Sequence, residues 1–474
     1  MAAEGYTSES YLDIDDHSPP PEDKWKVCYI LLFFMGMASL VPWNMYITAS
    51  SYFQNRLCYE KDGKMIQGTS ANYWPYCVTF SICVCNIIGS LLAVAYQTKI
   101  RQRIRILVPL IVNTVVFVLC SVLVFVDIPT DLFFVLSLTS GMLTGIFGSF
   151  LQGGMFGLAG DLPPIYTQAL MGGQGLAGFA VAVNGLVAAL ATAGDHDNQT
   201  DCKNQDDFKT PTLGYFLVAV FILLFCVVGY LVLERLPFVH HYQAEKARLS
   251  SRQNTPQAGC SQQSDRVVVN DEDHLAPLLP QEKSMISWSD STILFRKIRF
   301  HAASVFMMFM VTLSVFPAVT QNLESEEAVA ALKTHDHVPT FLTTQVFSAV
   351  SFVNFNFFDL MGRLCAGFVP IEKGTGPCFL VLSLLRWAFV LLFLSCQIHK
   401  GNNVFPATLT SDVAPIAIMT MFALTNGLIT SLAMMRAPRL VADLETSTSG
   451  TMMSFCMMGG LLAGTIVSFG IKEL

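Results

Sequence analysis

Charge is what this sequence has least of. Only 13% of its 474 residues are Asp, Glu, Lys or Arg, against about 25% in a typical soluble domain. With 53% hydrophobic residues beside that shortage, the solvent for much of the chain is lipid. A basic excess is also missing: the net charge of -7 leaves no cationic face of the kind nucleic acid requires, so no nucleic-acid partner is expected. The opening "MAAEGYTSESYLDIDDHSPPPEDKWK" is acidic and polar, without the basic start and short apolar core of a cleaved signal peptide. No CxxC pair, HExxH or histidine cluster is present, so no metal and no cofactor is expected; His335 and His337 sit in a polar loop and read as solvated. The absence of a GxxxxGK[ST] phosphate loop argues against an ATP-driven pump on this chain. No nucleophile–base arrangement stands out either, so the chain does not read as an enzyme.

Cysteine is not scarce, but most of the 13 lie in apolar runs (Cys83, Cys85, Cys120, Cys226, Cys365, Cys396, Cys456) and read as small packing residues. Cys58, Cys77 and Cys202 lie in or beside polar loops and are candidates for a disulfide, whose pairing sequence does not reveal.

A helix needs about 20 largely apolar residues to cross the hydrocarbon. That ruler gives about eleven candidate spans, at approximately 27–48, 73–97, 104–127, 132–159, 165–193, 213–234, 300–321, 340–370, 377–398, 411–435 and 448–470. "GMLTG" and "GLLAG" carry the small-xxx-small spacing that lets helices approach closely, so their glycines read as packing devices. With the N-terminus inside, most of the 28 Lys and Arg residues fall on the inner side, as the positive-inside rule prefers. Arg386 is left within a span. The one N-x-S/T sequon, "NQT" at Asn198, then falls outside, as a glycosylation site requires.

The expected fold is all-α and polytopic. A cytosolic tail (1–26) precedes a first bundle of six spans (27–235). A Ser/Gln-rich segment (236–297) reads as a cytosolic disordered loop, and a second bundle of five spans follows (298–474). Six plus five is a two-bundle, major-facilitator-like arrangement with one span missing from the second half.

Into this apolar background the eighth candidate sets "FNFFDLMGRL". On a helix, Phe352, Asn356, Asp359 and Arg363 are spaced 4, 3 and 4 and share one face. A charge in a span costs about 2.5–3.5 kcal/mol on insertion scales, so such groups face the bundle interior or a wet cavity, and pair. Two readings stand: a structural ion pair, or a polar patch whose carboxylate accepts from hydroxyls while the guanidinium donates. Trp43 and Asn44 follow Pro42 in the first span, Gln152 sits in the fourth among Gly148, Gly153 and Gly154, which would let a ligand approach the backbone closely, and Gln174 lies in "MGGQGLAGF" of the fifth. An aromatic face and amides suit a flat polar ring; interfacial tryptophans and interhelical amide bonds are the plainer readings.

These motifs together resemble the equilibrative nucleoside transporters of animal cells, over nearly the whole chain. The resemblance rests on "LVPWN", "LQGGMFGLAGDLPPIYTQALMGGQGLAG", "LSVFPAVT", "FNFFDLMGRL" and "ALTNG", in that order. It implies eleven spans with an internal N-terminus, and facilitated, ion-independent diffusion of nucleosides such as uridine and adenosine, and of some nucleobases, by alternating access. By the same resemblance Trp43 lines the central cavity with Leu40 and Ile47, Gln152 bonds the base, and Asp359 and Arg363 engage the ribose. Gly148, Phe316, Phe352, Asn356 and Leu461 match further positions along the path. Two positions depart from some members: Ile47 stands where they carry Met, which leaves inhibitor response open, and Gln174 stands where the organic-cation branch has an acidic residue. The family reading implies nucleosides and membrane lipid as partners, with no obligate protein partner. It places the chain in the plasma membrane, with endolysosomal residence as the alternative. A proton-coupled or organic-cation carrier of the same fold and a membrane receptor are the competing functions. A carboxylate held charged beside a guanidinium makes a poor proton carrier, and paired bundles with internal charge argue for transport over reception.

Overall fold

In lipid an apolar run can satisfy its backbone only by bonding it internally, so a chain built of such runs becomes helix. The computed structural model describes residues 21–61, 64–66, 69–192, 205–254, 288–316, 319–320, 325–328, 343–370, 376–396, 408–409 and 411–473. Among these, helix dominates. The first group is α1 (Val27–Thr48), the short α2 (Ser50–Arg56), α3 (Thr69–Ala95), α4 (Gln102–Leu123), α5 (Thr130–Gly160), α6 (Pro164–Thr192) and α7 (Gln205–Arg235). Strands β1 (Tyr59–Lys61) and β2 (Lys64–Ile66) pair antiparallel between α2 and α3. After α8 (Pro237–Asn254) come α9 (Trp288–Val315), α10 (Thr344–Cys365), α11 (Gly376–Leu385), α12 (Trp387–Leu394), α13 (Val413–Arg436) and α14 (Thr446–Glu473).

Each expected span falls on these helices, but among the described residues ten rather than eleven have the length and apolarity to cross a membrane, counting α11–α12 once. The one below that threshold is α10, where Gln345, Asn354, Asn356, Asp359 and Arg363 interrupt the apolar sequence. Two other expectations change. The stretch read as a disordered loop carries helix α8 over 237–254, and α9 begins at Trp288, well before 300; residues 255–287 between them lie outside the described residues. The ninth span is not continuous, since α11 and α12 are separated at Arg386. Cys58 is disulfide-bonded to a partner outside the described residues, and Cys77 is a free thiol, so Cys77 drops out as a candidate for pairing. Asn198, His335, His337 and Cys202 lie outside the described residues.

The start of α1 is fixed by Asp23. Its carboxylate accepts from the amides of Cys28 (3.0 Å) and Tyr29 (3.2 Å) and from the Tyr166 hydroxyl of α6 (3.0 Å), which satisfies donors that a helix start leaves open. Within the spans, hydroxyls such as Thr114 and Ser121 bond back to the carbonyl four residues earlier, so these polar groups cost little in an apolar setting.

Two groups of helices result. α1 and α3–α7 pack together, α9–α14 pack together, and the groups meet along two seams: α6 against α10 and α13, and α14 against α3 and α5. Glycine sets the depth of one crossing. A Cβ at Gly427 of α13 would strike the Asp359 carbonyl and the Arg363 amide, and one at Gly362 of α10 would strike the backbone of Leu424 and Leu428. With hydrogen there instead, α10 and α13 touch backbone to backbone. The glycines of "GMLTG" and "GLLAG" do the same work: Gly145 lies against Ile82 of α3, while Gly460 and Gly464 lie against Phe306 and Met310 of α9.

Candidate functional site

The close crossing of α10 and α13 brings the eighth-span charges together with polar groups from three other helices. Arg363 Nε donates to Asp359 Oδ2 at 2.7 Å, the i,i+4 pair expected from spacing. Asp359 is 5% exposed and Arg363 6%. Arg363 also reaches across the seam: its Nη1 donates to the Met171 carbonyl of α6 at 3.2 Å. One guanidinium thus joins its own bundle to the opposite one.

The other carboxylate oxygen leads to residues whose role the sequence did not reveal. Asn426 Nδ2, next to Gly427, donates to Asp359 Oδ1 at 2.7 Å. Asn426 Oδ1 accepts from Thr312 Oγ1 (2.8 Å) and from Arg386 Nη1 (3.2 Å). Arg386, 2% exposed, sits at the break between α11 and α12. It donates further to the Met308 and Phe422 carbonyls at 3.2 and 2.9 Å and stacks 4.2 Å above the Phe422 ring. One carboxylate therefore lies between two buried guanidiniums, one in direct contact and one through an amide. Ions out of water lose several kcal/mol of solvation each unless hydrogen bonds replace it; carbonyls, amide and ring replace most of it here, while Arg386 Nε has no hydrogen-bond partner among the described residues. The signal in sequence was present: Arg386 within a span, and an Asn in "ALTNG".

The remaining expected residues are placed as follows. Gln152 of α5 is buried, with Nε2 3.8 Å from Met457 Sδ of α14, so it faces the second seam. Trp43 and Leu40 are half-buried on α1 and Ile47 is exposed. Asn44 is buried and its Nδ2 has no hydrogen-bond partner among the described residues. Gln174 is buried and donates to Ser39 of α1 at 3.1 Å, an interhelical amide bond of the plainer kind. Gly148 is half-buried and a Cβ there would meet open space, as a cavity wall allows; Gly153 and Gly154 instead pack on Ala93, Thr451 and the Arg105 carbonyl, so a ligand has no approach to them. Phe316 stacks on the buried Phe355 (4.1 Å) and lies 4.6 Å from Phe352; Phe316, Phe352, Asn356 and Leu461 are half-buried. Asn356 returns its Nδ2 to the Phe352 carbonyl at 2.9 Å. No hydrogen bond or ring contact described here joins Trp43 or Gln152 to the Asp359–Arg363 pair.

Bonds between the bundles gather toward the end of the molecule where α5 turns into α6 and α13 into α14. Thr451 Oγ1 of α14 reaches Gln97 Oε1 (2.7 Å) and the Gly153 carbonyl (2.9 Å) and accepts from Arg105 Nη2 (3.0 Å). Gln97 Nε2 donates to Ser447 (2.9 Å). Asp161 Oδ1 takes both Thr446 Oγ1 (2.6 Å) and Lys246 Nζ of α8. Gln168, which accepts from Tyr29 of α1, donates to the Arg363 carbonyl at 3.2 Å. At this end the seam is shut.

The fold and the paired charges at the seam can be set beside known proteins. The nucleoside transporter family matches residues 138–473, well over half of the chain. It belongs to that family. Mouse equilibrative nucleoside transporter 2 is 30% identical over 96% of this family member and 98% of its own length. Human equilibrative nucleoside transporter 1 is 29% identical over 96% and 99%. Among solved structures, the Major Facilitator Superfamily transporter FucP in the outward conformation aligns with a TM-score of 0.51 at 12% identity, covering 93% of this transporter and 91% of that chain. The likeness to FucP establishes the fold, a nearly all-helical one of major-facilitator type. Transport, not enzyme chemistry, is the business of this family, and Asp359, Arg363, Gln152 and Asn426 all lie inside the matched segment.

Proposed function

We propose that the protein carries nucleosides such as uridine and adenosine passively across a membrane, by rocking two bundles about a central site at Asp359 and Arg363. The observation that carries the reading is the divided allegiance of Arg363. Nε is held by a carboxylate of its own bundle and Nη1 by the Met171 carbonyl of the other. A group bonded to both bundles changes its surroundings when they part, which is what an alternating-access site must do. A ribose hydroxyl able to donate to Asp359 and accept from Arg363 fits between them when that seam loosens. The half-buried Trp43, the buried Gln152 and the open face of Gly148 serve as the base end of the same path, with Leu40, Ile47, Phe316, Phe352, Asn356 and Leu461 lining it.

The chain divides into six spans and five in this reading, counting α10 as a span; the two packed groups support it. The end where the seam is shut is the cytosolic one, given the inward placement of most cationic residues. The disulfide at Cys58, beside the opposite end of α2, agrees: disulfides persist on the oxidising side of a membrane, and the Asn198 sequon falls on that side too. The plasma membrane is the proposed residence, with the N-terminus in the cytosol and the C-terminus outside.

The test is uptake of labelled uridine and adenosine by proteoliposomes with no gradient other than substrate. Saturable equilibration to equal concentrations, unaffected by imposed pH or sodium gradients, is expected. Accumulation that tracks a pH gradient, or no flux with correctly inserted protein, refutes the proposal.

A further inference from the structure

We infer that Asn426 and Arg386 are positioning residues for the permeant: they aim the Asp359 carboxylate, and Asn426 is required because it must donate on one side and accept on the other. The inference rests on the proposed role of Asp359 and Arg363 above and deepens it.

The geometry fixes how the Asn426 amide is oriented. Its Nδ2 faces a carboxylate oxygen that can only accept, and its Oδ1 faces a guanidinium that can only donate. Asp359 Oδ1 is thereby tied down within the second bundle, and its Oδ2 is left toward Arg363 and the seam. Among the described residues, no carboxylate bonds Arg386 directly. Its Nη1 spreads over Met308, Thr312 and Asn426 and its Nη2 holds Phe422, which makes it the fixed post for the relay. Everything in this half of the knot comes from α9, α10, α13 and the α11–α12 break, so it can travel as one body when the bundles rock. Arg363 is the member whose bond to the opposite bundle must change. Transport then needs the carboxylate to keep its aim while its guanidinium partner moves, and the amide relay provides that.

Substitutions separate aiming from mere support of the fold. Asn426→Asp keeps size and keeps an acceptor for Arg386, even gaining an ion pair there, but turns carboxylate against carboxylate at Asp359. The readout is the initial rate of uridine uptake, normalised to surface-labelled protein. The expected result is a KM raised by about tenfold, the factor that one hydrogen bond to a charged group supplies, with Vmax per surface molecule within about twofold of the parent. A structural role would lower surface amount and leave KM unmoved, and an unchanged KM overturns the inference. The exchange Asp359→Asn with Asn426→Asp restores charge count and hydrogen-bond complementarity but leaves Arg363 without its carboxylate. KM is expected to stay raised, and parental kinetics in the exchange variant overturn the inference. If Asn426→Asp fails to reach the surface, Thr312→Val decides: it removes one donor to Asn426 Oδ1, and a KM raised about two- to threefold supports the relay, whereas no change overturns it. Failure of the underlying proposal looks different, since uridine flux would then be absent in the parent or indifferent to Asp359→Asn.

Discussion

Asp359→Asn tests the site with the least disturbance of shape. The substitution keeps every heavy-atom position while removing the charge that balances Arg363 and Arg386. The amide that replaces the carboxylate presents one NH2, which sets donor against donor at Asn426 Nδ2 or at Arg363 Nε, whichever way it turns. If a ribose hydroxyl donates to this carboxylate, the lost bond is one to a charged acceptor, about 1.5–3 kcal/mol. At about 1.4 kcal/mol per factor of ten, that weakens apparent uridine affinity roughly tenfold to 150-fold. The assay is surface-normalised uptake of uridine and of 2′,3′-dideoxyuridine, which lacks the two hydroxyls in question. In the parent the dideoxy compound should be the poorer permeant; in Asp359→Asn the two should converge, because the site has lost what told them apart. Such a cycle isolates the hydroxyl–carboxylate coupling from general damage to the fold. Equal discrimination between the two permeants in parent and variant, at equal surface amount, refutes the assignment of Asp359 to the sugar.

Three further outcomes are expected. Gly427→Ala places a methyl against the Asp359 carbonyl and the Arg363 amide; overpacking of this kind costs about 1–3 kcal/mol, so the purified protein should unfold at lower temperature and transport less, with Gly470→Ala, whose Cβ meets open space, as the unaffected control. Asp161→Ala removes the acceptor of Thr446 and the ion pair with Lys246; losing about 1–2 kcal/mol from the shut end should shift the population several-fold toward opening there, read as faster modification of a cysteine placed at Gly157, which faces Ser447 and Thr451. Cys58→Ser removes a disulfide and should lower the midpoint of thermal unfolding, and a membrane-impermeant reductant should reproduce the effect in intact cells from outside only; a stability unmoved by either treatment would count against the orientation.

Much of this molecule was legible beforehand, for a physical reason. Apolar runs that must bond their own backbone announce themselves, so α1 lies on 27–48 as expected and the other spans shift by a few residues at most ends. Spacing likewise announced the Asp359–Arg363 pair, because i and i+4 on a helix are neighbours in any tertiary setting. Contacts between distant segments did not announce themselves. Asn426 meets Asp359 only because Gly362 and Gly427 let two backbones touch, and nothing in "ALTNG" alone selects that crossing. Arg386 counted as a lone buried charge because its partners are carbonyls, a hydroxyl, an amide and a ring, none marked by composition. Gly153 and Gly154 looked like places for a ligand and are instead places for α3, α4 and α14, since glycine's smallness serves either purpose. Polar segments misled in the opposite direction: α8, rich in Gln, Lys, Arg and Ser, is helical and pins Lys246 to Asp161.

Thr451 of α14 sits in the shut end of the second seam. Its single hydroxyl proton has three acceptors in reach, on Gln97, Gly153 and Ser447, and a hydroxyl gives its proton to one of them at a time. Sliding α14 along α3 and α5 can therefore trade one acceptor for the next instead of leaving the proton stranded. Because the Ser447 carbonyl rides on the same helix as Thr451, the hydroxyl keeps a partner whether this end is shut or parted, and opening there strands no proton.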